Sequence, residues 1–338
     1  MGMKAFISGC QGYSLTPDEL QFFADECPWG LILFQRNCES KAQISDLVQA
    51  FRSAVGRSDA PVLIDQEGGR VQRLKPPVWR LYPSGSVYAS LYERDFEAGL
   101  RCAWLGTRLI ADDLYELGIN VDCLPVLDVP VSGADPIIGD RAYGLEPEQI
   151  IRLAGAAIDG LRAGGVSPVI KHIPGHGRAN VDSHLALPRV STDRATLDER
   201  DFAPFRAFAD EALAMTAHVV FEAIDPDAPA TTSSRLVQDV MRQDIGFSGA
   251  IMSDDLSMKA LSGTMVERTE AVFQAGCDLA LHCNGDFRDM KDVAKASPHL
   301  DGVALERCSS ATARLVRPEP LDRAAAEAEF DELLGRVV

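Results

Sequence analysis

The residues able to do chemistry in this chain collect in a few short runs. Three dominate: Ile64-Asp-Gln-Glu-Gly-Gly-Arg-Val-Gln-Arg73, Lys171-His-Ile-Pro-Gly-His-Gly177 and Ser253-Asp-Asp-Leu-Ser-Met258. Asp128, Arg141 within Gly139-Asp-Arg141, and His218 add to them. Together they supply carboxylates, imidazoles, guanidiniums and an ammonium. Such a set suits a polar, neutral, hydroxyl-rich substrate held by charged hydrogen bonds. Each member alone is weak evidence, because a lone Asp at a strand end is often a helix cap and a lone His among apolar residues is more often a hydrogen-bonded core group. Convergence on one place is what gives them weight. His172, His176 and His184 could also be metal ligands with Asp65 or Asp254, but their four- and eight-residue gaps match neither HExxH nor another compact zinc pattern.

Elements of the right kind to bring these runs together are legible. Eight apolar stretches read as strands: Ala5–Ser8, Gly30–Gln35, Pro61–Asp65, Asn120–Pro125, Ser167–Ile173, Ala212–Val220, Gly249–Asp254 and Asp278–Cys283. Most are continuously apolar, as strands buried on both faces of a parallel sheet are. Amphipathic stretches separate them. Over Pro147–Ala163 the stripe Ile151, Ala154, Ile158, Leu161 predicts a helix, which Gly164-Gly165 stops. Ser233–Gln243 and Thr264–Gly276 read the same way, and the Ala/Arg/Glu/Leu-rich tail after His299 reads as closing helices. The expected fold class is α/β: one (β/α)8 TIM-type barrel with extra C-terminal helices, spanning 1–338 as a single domain. A doubly wound open sheet is the competitor, but neither GxGxxG nor a P-loop supports it. In a barrel, chemistry sits at the C-terminal ends of the strands, where the polar runs fall.

Bulk properties narrow the function classes. A net charge of −17 over 338 residues disfavours nucleic acid or an anionic membrane as a partner. The eight cysteines are scattered without a CxxC, as in reduced intracellular proteins. The N-terminal Met-Gly-Met-Lys-Ala-Phe-Ile-Ser is too weakly apolar for a signal peptide, and no run reaches membrane-span length. A cytoplasmic location is expected.

Five motifs then carry a resemblance. The run from Lys171 to Pro188, which includes Asp182-Ser-His184, resembles the signature of family 3 glycoside hydrolases of the β-N-acetylglucosaminidase type, the NagZ group. So do Ile64–Leu74, Ser253–Met258, Leu33-Phe-Gln-Arg-Asn37 and Pro125-Val-Leu-Asp128, all in the family's order. Two details depart from it. Many relatives have Phe where Ile173 stands, and Asp-Thr or similar where Arg178-Ala179 stands.

The resemblance implies a retaining β-N-acetylhexosaminidase that removes terminal β-linked N-acetylglucosamine from peptidoglycan fragments through a covalent glycosyl-enzyme. It assigns Asp254 as nucleophile and His184 as acid/base, oriented by Asp182. Asp65, Arg73, Arg141, Lys171 and His172 would line the sugar subsite. His176, His218, Asp128, Met258 and Glu67 would support them from behind. Asp255 reads as a helix cap without catalytic role. The expected partner is a small-molecule sugar, a muropeptide or N-acetylglucosamine glycoside, bound by a monomer with no cofactor and no metal. A family 3 phosphorylase, a β-glucosidase and a non-enzymatic sugar-binding protein are the competing readings.

Overall fold

Strand runs that are apolar throughout demand burial on both faces, and a closed parallel sheet provides it. The computed structural model describes residues 2–337. Eight strands form its centre: β1 Lys4–Ser8, β2 Pro28–Leu33, β3 Val62–Ile64, β4 Val121–Asp122, β5 in two segments (Ser167–Pro168 and Ile170–Ile173), β6 Leu213–Thr216, β7 Ala250–Asp255 and β8 Leu279–His282. All neighbours pair in parallel, in sequence order, and β8 returns to β1 with Phe6 opposite Ala280. The first segment of β5 bonds to β4 and the second to β6, so β5 joins the two edges of the sheet and closes the (β/α)8 barrel.

Side chains along each strand alternate between two separate apolar clusters. Ile7, Ile32, Leu63, Met215, Met252 and Leu281 belong to the cluster inside the barrel. Phe6, Leu31, Leu33, Ile64, Ala214, Ile251 and Ala280 join the cluster shared with the helices outside. This alternation already aims side chains. Continued past Met252 it turns Asp254 inward, past Leu63 it turns Asp65 inward, and past Val169 it does the same for Lys171.

The helices follow local chemistry. Pro147–Ala163 forms as expected, with Gly164 at its C-cap and Gly165 at φ +77°. Its buried stripe is rotated, however: Ile150, Leu153, Ala154, Ala157, Ile158 and Leu161 are buried while Ile151 is half-buried. Met265–Ala275 is bracketed by a Thr264–Glu267 capping box and by Gly276 at φ +102°. The run 233–243 forms a helix over Arg235–Asp244, though of the wider π type. The tail gives two helices, Gly302–Ala313 and Arg323–Leu334. The second packs Phe330 against Tyr82 and Tyr88, and Arg323 bonds Asp112 and Asp113.

Two expected strands are corrected. Asn120–Pro125 shortens to Val121–Asp122: the Leu124 N–H turns back to the Asp122 carbonyl, and Pro125 has no N–H to resume the ladder. Ala212–Val220 divides: β6 ends at Thr216, and Val220–Phe221 pairs instead with Arg189–Val190 in a separate two-stranded patch. His218 therefore stands in the bend between them. No helix among the described residues is long and apolar enough to cross a membrane, and the eight cysteines are free thiols.

Candidate active site

β3 runs directly into a hairpin, Gln66–Gly68 with Val71–Gln72, that folds the chain back over the barrel mouth. Gly68 at φ +94° makes the reversal possible, since a Cβ there would sit 2.2 Å from the Pro83 carbonyl oxygen. Gln66 Oε1 accepts from the backbone N–H groups of Arg73 and Leu74, which pins the returning strand. Arg73 is thus placed over Asp65. Its Nη2 donates to Asp65 Oδ2 at 2.8 Å, and its guanidinium lies 4.7 Å from the Phe34 ring centre.

Lys171 reaches the same place from β5. Its Nζ lies 2.9 Å from Asp65 Oδ1 and 2.7 Å from Glu67 Oε1, and the residue is 1% exposed. Glu67 in turn receives a two-pronged bond from Arg141, Nε and Nη2 both at 2.8 Å. Burial alone raises both carboxyls, but Lys171 and Arg73 hold Asp65 well below the usual range, and Arg141 and Lys171 bring Glu67 down to about 2. Behind them Asp122 is fully buried with no cation bonded to it, and burial lifts its carboxyl to about 8, so it is neutral at pH 7.

Two buried carboxylates around one buried ammonium make the stability of this cluster depend on Lys171. Lys171→Met leaves Asp65 with Arg73 and Glu67 with Arg141 but removes the ammonium between them, and should destabilise the fold by about 3 kcal/mol at pH 7, the low end of the usual cost of removing one partner from a buried ion pair. Asp65 and Glu67 have depressed pKa values, so the stability they contribute is present above their unfolded values, 3.8 and 4.5. It is lost as pH falls toward about 2. The deficit in melting temperature should therefore shrink below pH 4.5. A deficit independent of pH would show that packing, not charge, carries the effect.

Asp128, buried at 0% exposure, organises the other side. It accepts from His172 Nδ1 at 2.7 Å and from the His172 and His176 backbone N–H groups. His172 thereby presents its other nitrogen to the cavity. His176 is neutral: burial and the neighbouring His172 push its ring down to about 4. Its Nε2 lies 3.3 Å from Ser183 Oγ, and Ser183 also accepts the Ala260 N–H on its carbonyl. That buried serine seats the loop on which Asp182 and His184 meet, Oδ1 to Nδ1 at 2.8 Å.

Asp254 ends β7. Its Oδ1 accepts the Asp255 N–H at 2.8 Å. Burial raises the carboxyl, while the His218 and His172 rings and that N–H outweigh burial and leave it below its ordinary value. Asp255 is not a helix cap: the next helix begins at Met265, and the Asp255 carboxylate instead takes the Ser257 and Cys283 N–H groups and the Ser257 hydroxyl.

These groups line one cavity of about 270 Å³. Asp65, Arg73, Arg141, Lys171, His172, His176, His184, Asp254 and Met258 all reach it. Asp128, Glu67, His218 and Asp182 do not; the first three hold groups that do or their backbone, and Asp182 holds His184. Phe34, Ile137, Met215 and Cys283 also line it and were missed. Phe34 had a signal, its place in Leu33-Phe-Gln-Arg-Asn37, whereas Met215 and Cys283 look like ordinary strand apolars. Arg70, at the rim, bonds Asp140 and the carbonyls of residues 136–138, and so shapes the loop that delivers Arg141. Among the described residues no three His, Cys, Asp or Glu side chains converge as metal ligands.

Residues 21–317, which carry this cavity and its motifs, match the glycosyl hydrolase family 3 N-terminal domain. The chain belongs to glycosyl hydrolase family 3. Among family 3 relatives, the β-hexosaminidase of Alkalilimnicola ehrlichii is 39% identical over 288 residues, 84% of this chain and 82% of that protein. The β-hexosaminidase of Methylococcus capsulatus is 41% identical over 277 residues, 81% and 80%. NagZ from Neisseria gonorrhoeae, solved in complex with N-trifluoroacetyl-D-glucosamine, superposes with a TM-score of 0.89 at 31% identity and 99% coverage of both chains.

Proposed function

We propose that this family 3 enzyme is a retaining β-N-acetylhexosaminidase that releases terminal β-linked N-acetylglucosamine from peptidoglycan fragments in the cytoplasm. Asp254 attacks the anomeric carbon and displaces the aglycone oxygen, which His184 protonates. Water deprotonated by His184 then breaks the glycosyl-enzyme and returns Asp254 as a carboxylate. Asp182 orients the ring. Asp65, Arg73, Arg141, Lys171 and His172 hold the sugar hydroxyls.

One observation carries this reading. Of the three carboxylates that line the cavity, Asp65 is tied to Lys171 and Arg73, and Asp255 is tied to Ser257 and Cys283. Asp254 accepts a single backbone N–H and is free to react. His184 lines the same cavity as a proton-transfer group with a carboxylate partner on an exposed loop, its side chain 62% exposed. The β-hexosaminidase relatives and the N-acyl glucosamine bound by the gonococcal protein support the substrate class. The small cavity suits one sugar ring, and the free thiols suit a reducing compartment.

The decisive assay compares a chromogenic β-N-acetylglucosaminide with the matching β-glucoside and identifies the product. Free N-acetylglucosamine from the first substrate alone is expected. Preference for the glucoside, or release of the sugar 1-phosphate in phosphate buffer, overturns the proposal.

A further inference from the structure

Holding the Asp254 carboxylate in place requires fixing the backbone on both sides of it. On one side the Asp254 N–H donates to Thr216 Oγ1 at 3.3 Å. On the other the Asp255 carbonyl accepts from His218 Nε2 at 3.0 Å. Between these anchors, Thr216 Oγ1 and His218 Nδ1 each lie 2.7 Å from the same atom, Thr231 Oγ1. The Ala217 carbonyl is 3.1 Å from that hydroxyl as well. Thr216, His218 and Thr231 are all at 0% exposure. None of the three lines the cavity, and Thr231 arrives from a separate short turn, Ala230–Thr232.

We propose that Thr216, Thr231 and His218 form a closed bracket that positions Asp254 for attack, with the Thr231 hydroxyl as its hub. The inference rests on the reading of Asp254 as nucleophile, adds Thr216 and Thr231 to it as positioning residues and gives His218 a defined place between them.

Hydrogen counting supports the closure. The Asp255 carbonyl can only accept, so His218 Nε2 carries a proton. In the neutral ring Nδ1 is then an acceptor. Thr231 gives its one hydrogen to Nδ1, Thr216 gives its own to Thr231, and the Thr216 oxygen receives the Asp254 N–H. Every donor has one acceptor, in a single direction. The neutral ring is the favoured one, since burial lowers the His218 pKa more than the facing Asp254 and Asp255 raise it, and His172 adds to the lowering. Protonation would reverse the Nδ1 bond and turn the Thr231 hydrogen to the Ala217 carbonyl. The bracket thus keeps its shape in both states.

Its loss should affect attack and not sugar binding. The groups that hold the sugar come from β3, β5 and the loop bearing Arg141, whereas the bracket touches only the backbone of β7. A reacting atom displaced by about 1 Å slows a positioned reaction by roughly 10²-fold.

The test uses the full chain and a fluorinated N-acetylglucosaminyl fluoride, from which attack by Asp254 expels fluoride and leaves a slowly hydrolysed glycosyl ester. In wild type the label should lie on Asp254; a label elsewhere ends the nucleophile reading itself, separately from the bracket. Thr231→Val, of the same shape without the hydroxyl, should label roughly 10- to 100-fold more slowly while binding N-acetylglucosamine within about threefold of wild type. Thr231→Ser should restore labelling to within about threefold. Labelling of Thr231→Val at the wild-type rate, or an equal loss of binding and labelling, overturns the bracket. Should the valine variant fail to fold, ¹⁵N imidazole spectra of the wild-type protein decide. A His218 ring with its proton on Nε2 and a bare Nδ1 at about pH 8 supports the bracket, and a proton on Nδ1 alone refutes it.

Discussion

Asp254→Asn should reduce turnover by about 10⁴-fold or more while leaving the protein folded and able to bind N-acetylglucosamine. The amide keeps the size of the carboxylate, and its oxygen can still accept the Asp255 N–H that Asp254 Oδ1 takes at 2.8 Å. The sugar-facing groups are bonded to one another through Asp65 and Glu67, not through Asp254, so their arrangement survives. What disappears is the negative charge that closes on the anomeric carbon. A neutral amide is a far weaker nucleophile and stabilises an oxocarbenium-like transition state poorly. Steady-state kinetics with an aryl N-acetylglucosaminide, beside a thermal melt, measure both halves of the expectation. A variant that keeps more than about a tenth of wild-type kcat has lost less than roughly 1.4 kcal/mol of barrier stabilisation, and Asp254 is then not the nucleophile.

The barrel was legible because its strands are apolar on both faces and helices with clear stops separate them. All eight appear where they were expected, within a few residues. Thr264 and Gly276 mark the ends of their helix in the sequence as plainly as in the structure. The polar mouth was legible for the same reason, since strand-end residues in a barrel face one way. What escaped was anything set by tertiary contacts. The Pro147–Ala163 stripe turns toward Ile150 because the neighbouring helix Phe96–Glu116 packs there, which periodicity within one helix does not reveal. Asp255 looks like a cap from its neighbours in sequence, but its partner Cys283 lies on the adjacent strand's end. Thr231 carries no signal at all: a Thr in Ala-Thr-Thr-Ser acquires a role only when the fold brings it 2.7 Å from His218 and Thr216.

The cations proposed to hold the sugar also change meaning. In the sequence, Lys171 and Arg141 are donors awaiting hydroxyls. In the structure each already serves a buried carboxylate, Lys171 two of them. With Arg73 also on Asp65, three cations meet two carboxylates, so most of their charge is offset before substrate arrives. Such preorganisation suits an uncharged sugar, which a lone buried cation would not.

His184→Ala should show the opposite pattern to Asp254→Asn, with a loss that depends on the leaving group. The imidazole sits on a loop, 62% exposed, with Nδ1 bonded to Asp182 at 2.8 Å, which leaves Nε2 to exchange the proton. A sugar alcohol is a poor leaving group and needs that proton, so cleavage of a natural disaccharide should fall by roughly 10²–10⁴-fold. A nitrophenolate departs almost unaided, so the first step on an aryl glycoside should fall much less. The second step still needs a base to activate water. The glycosyl-enzyme should then accumulate, and a burst of nitrophenol should precede a slow steady state. Asp182→Asn should give a milder loss of the same kind. Burial opposes ionisation of Asp182, but the His184 N–H and ring together outweigh it and hold the carboxyl below the ordinary value, so it stays anionic across the working range. Replacing it by an amide removes that charge from beside the ring. Equal losses on disaccharide and aryl glycoside in His184→Ala, with an unchanged pH profile, would remove His184 from the proton transfer and leave the loop with a binding role only.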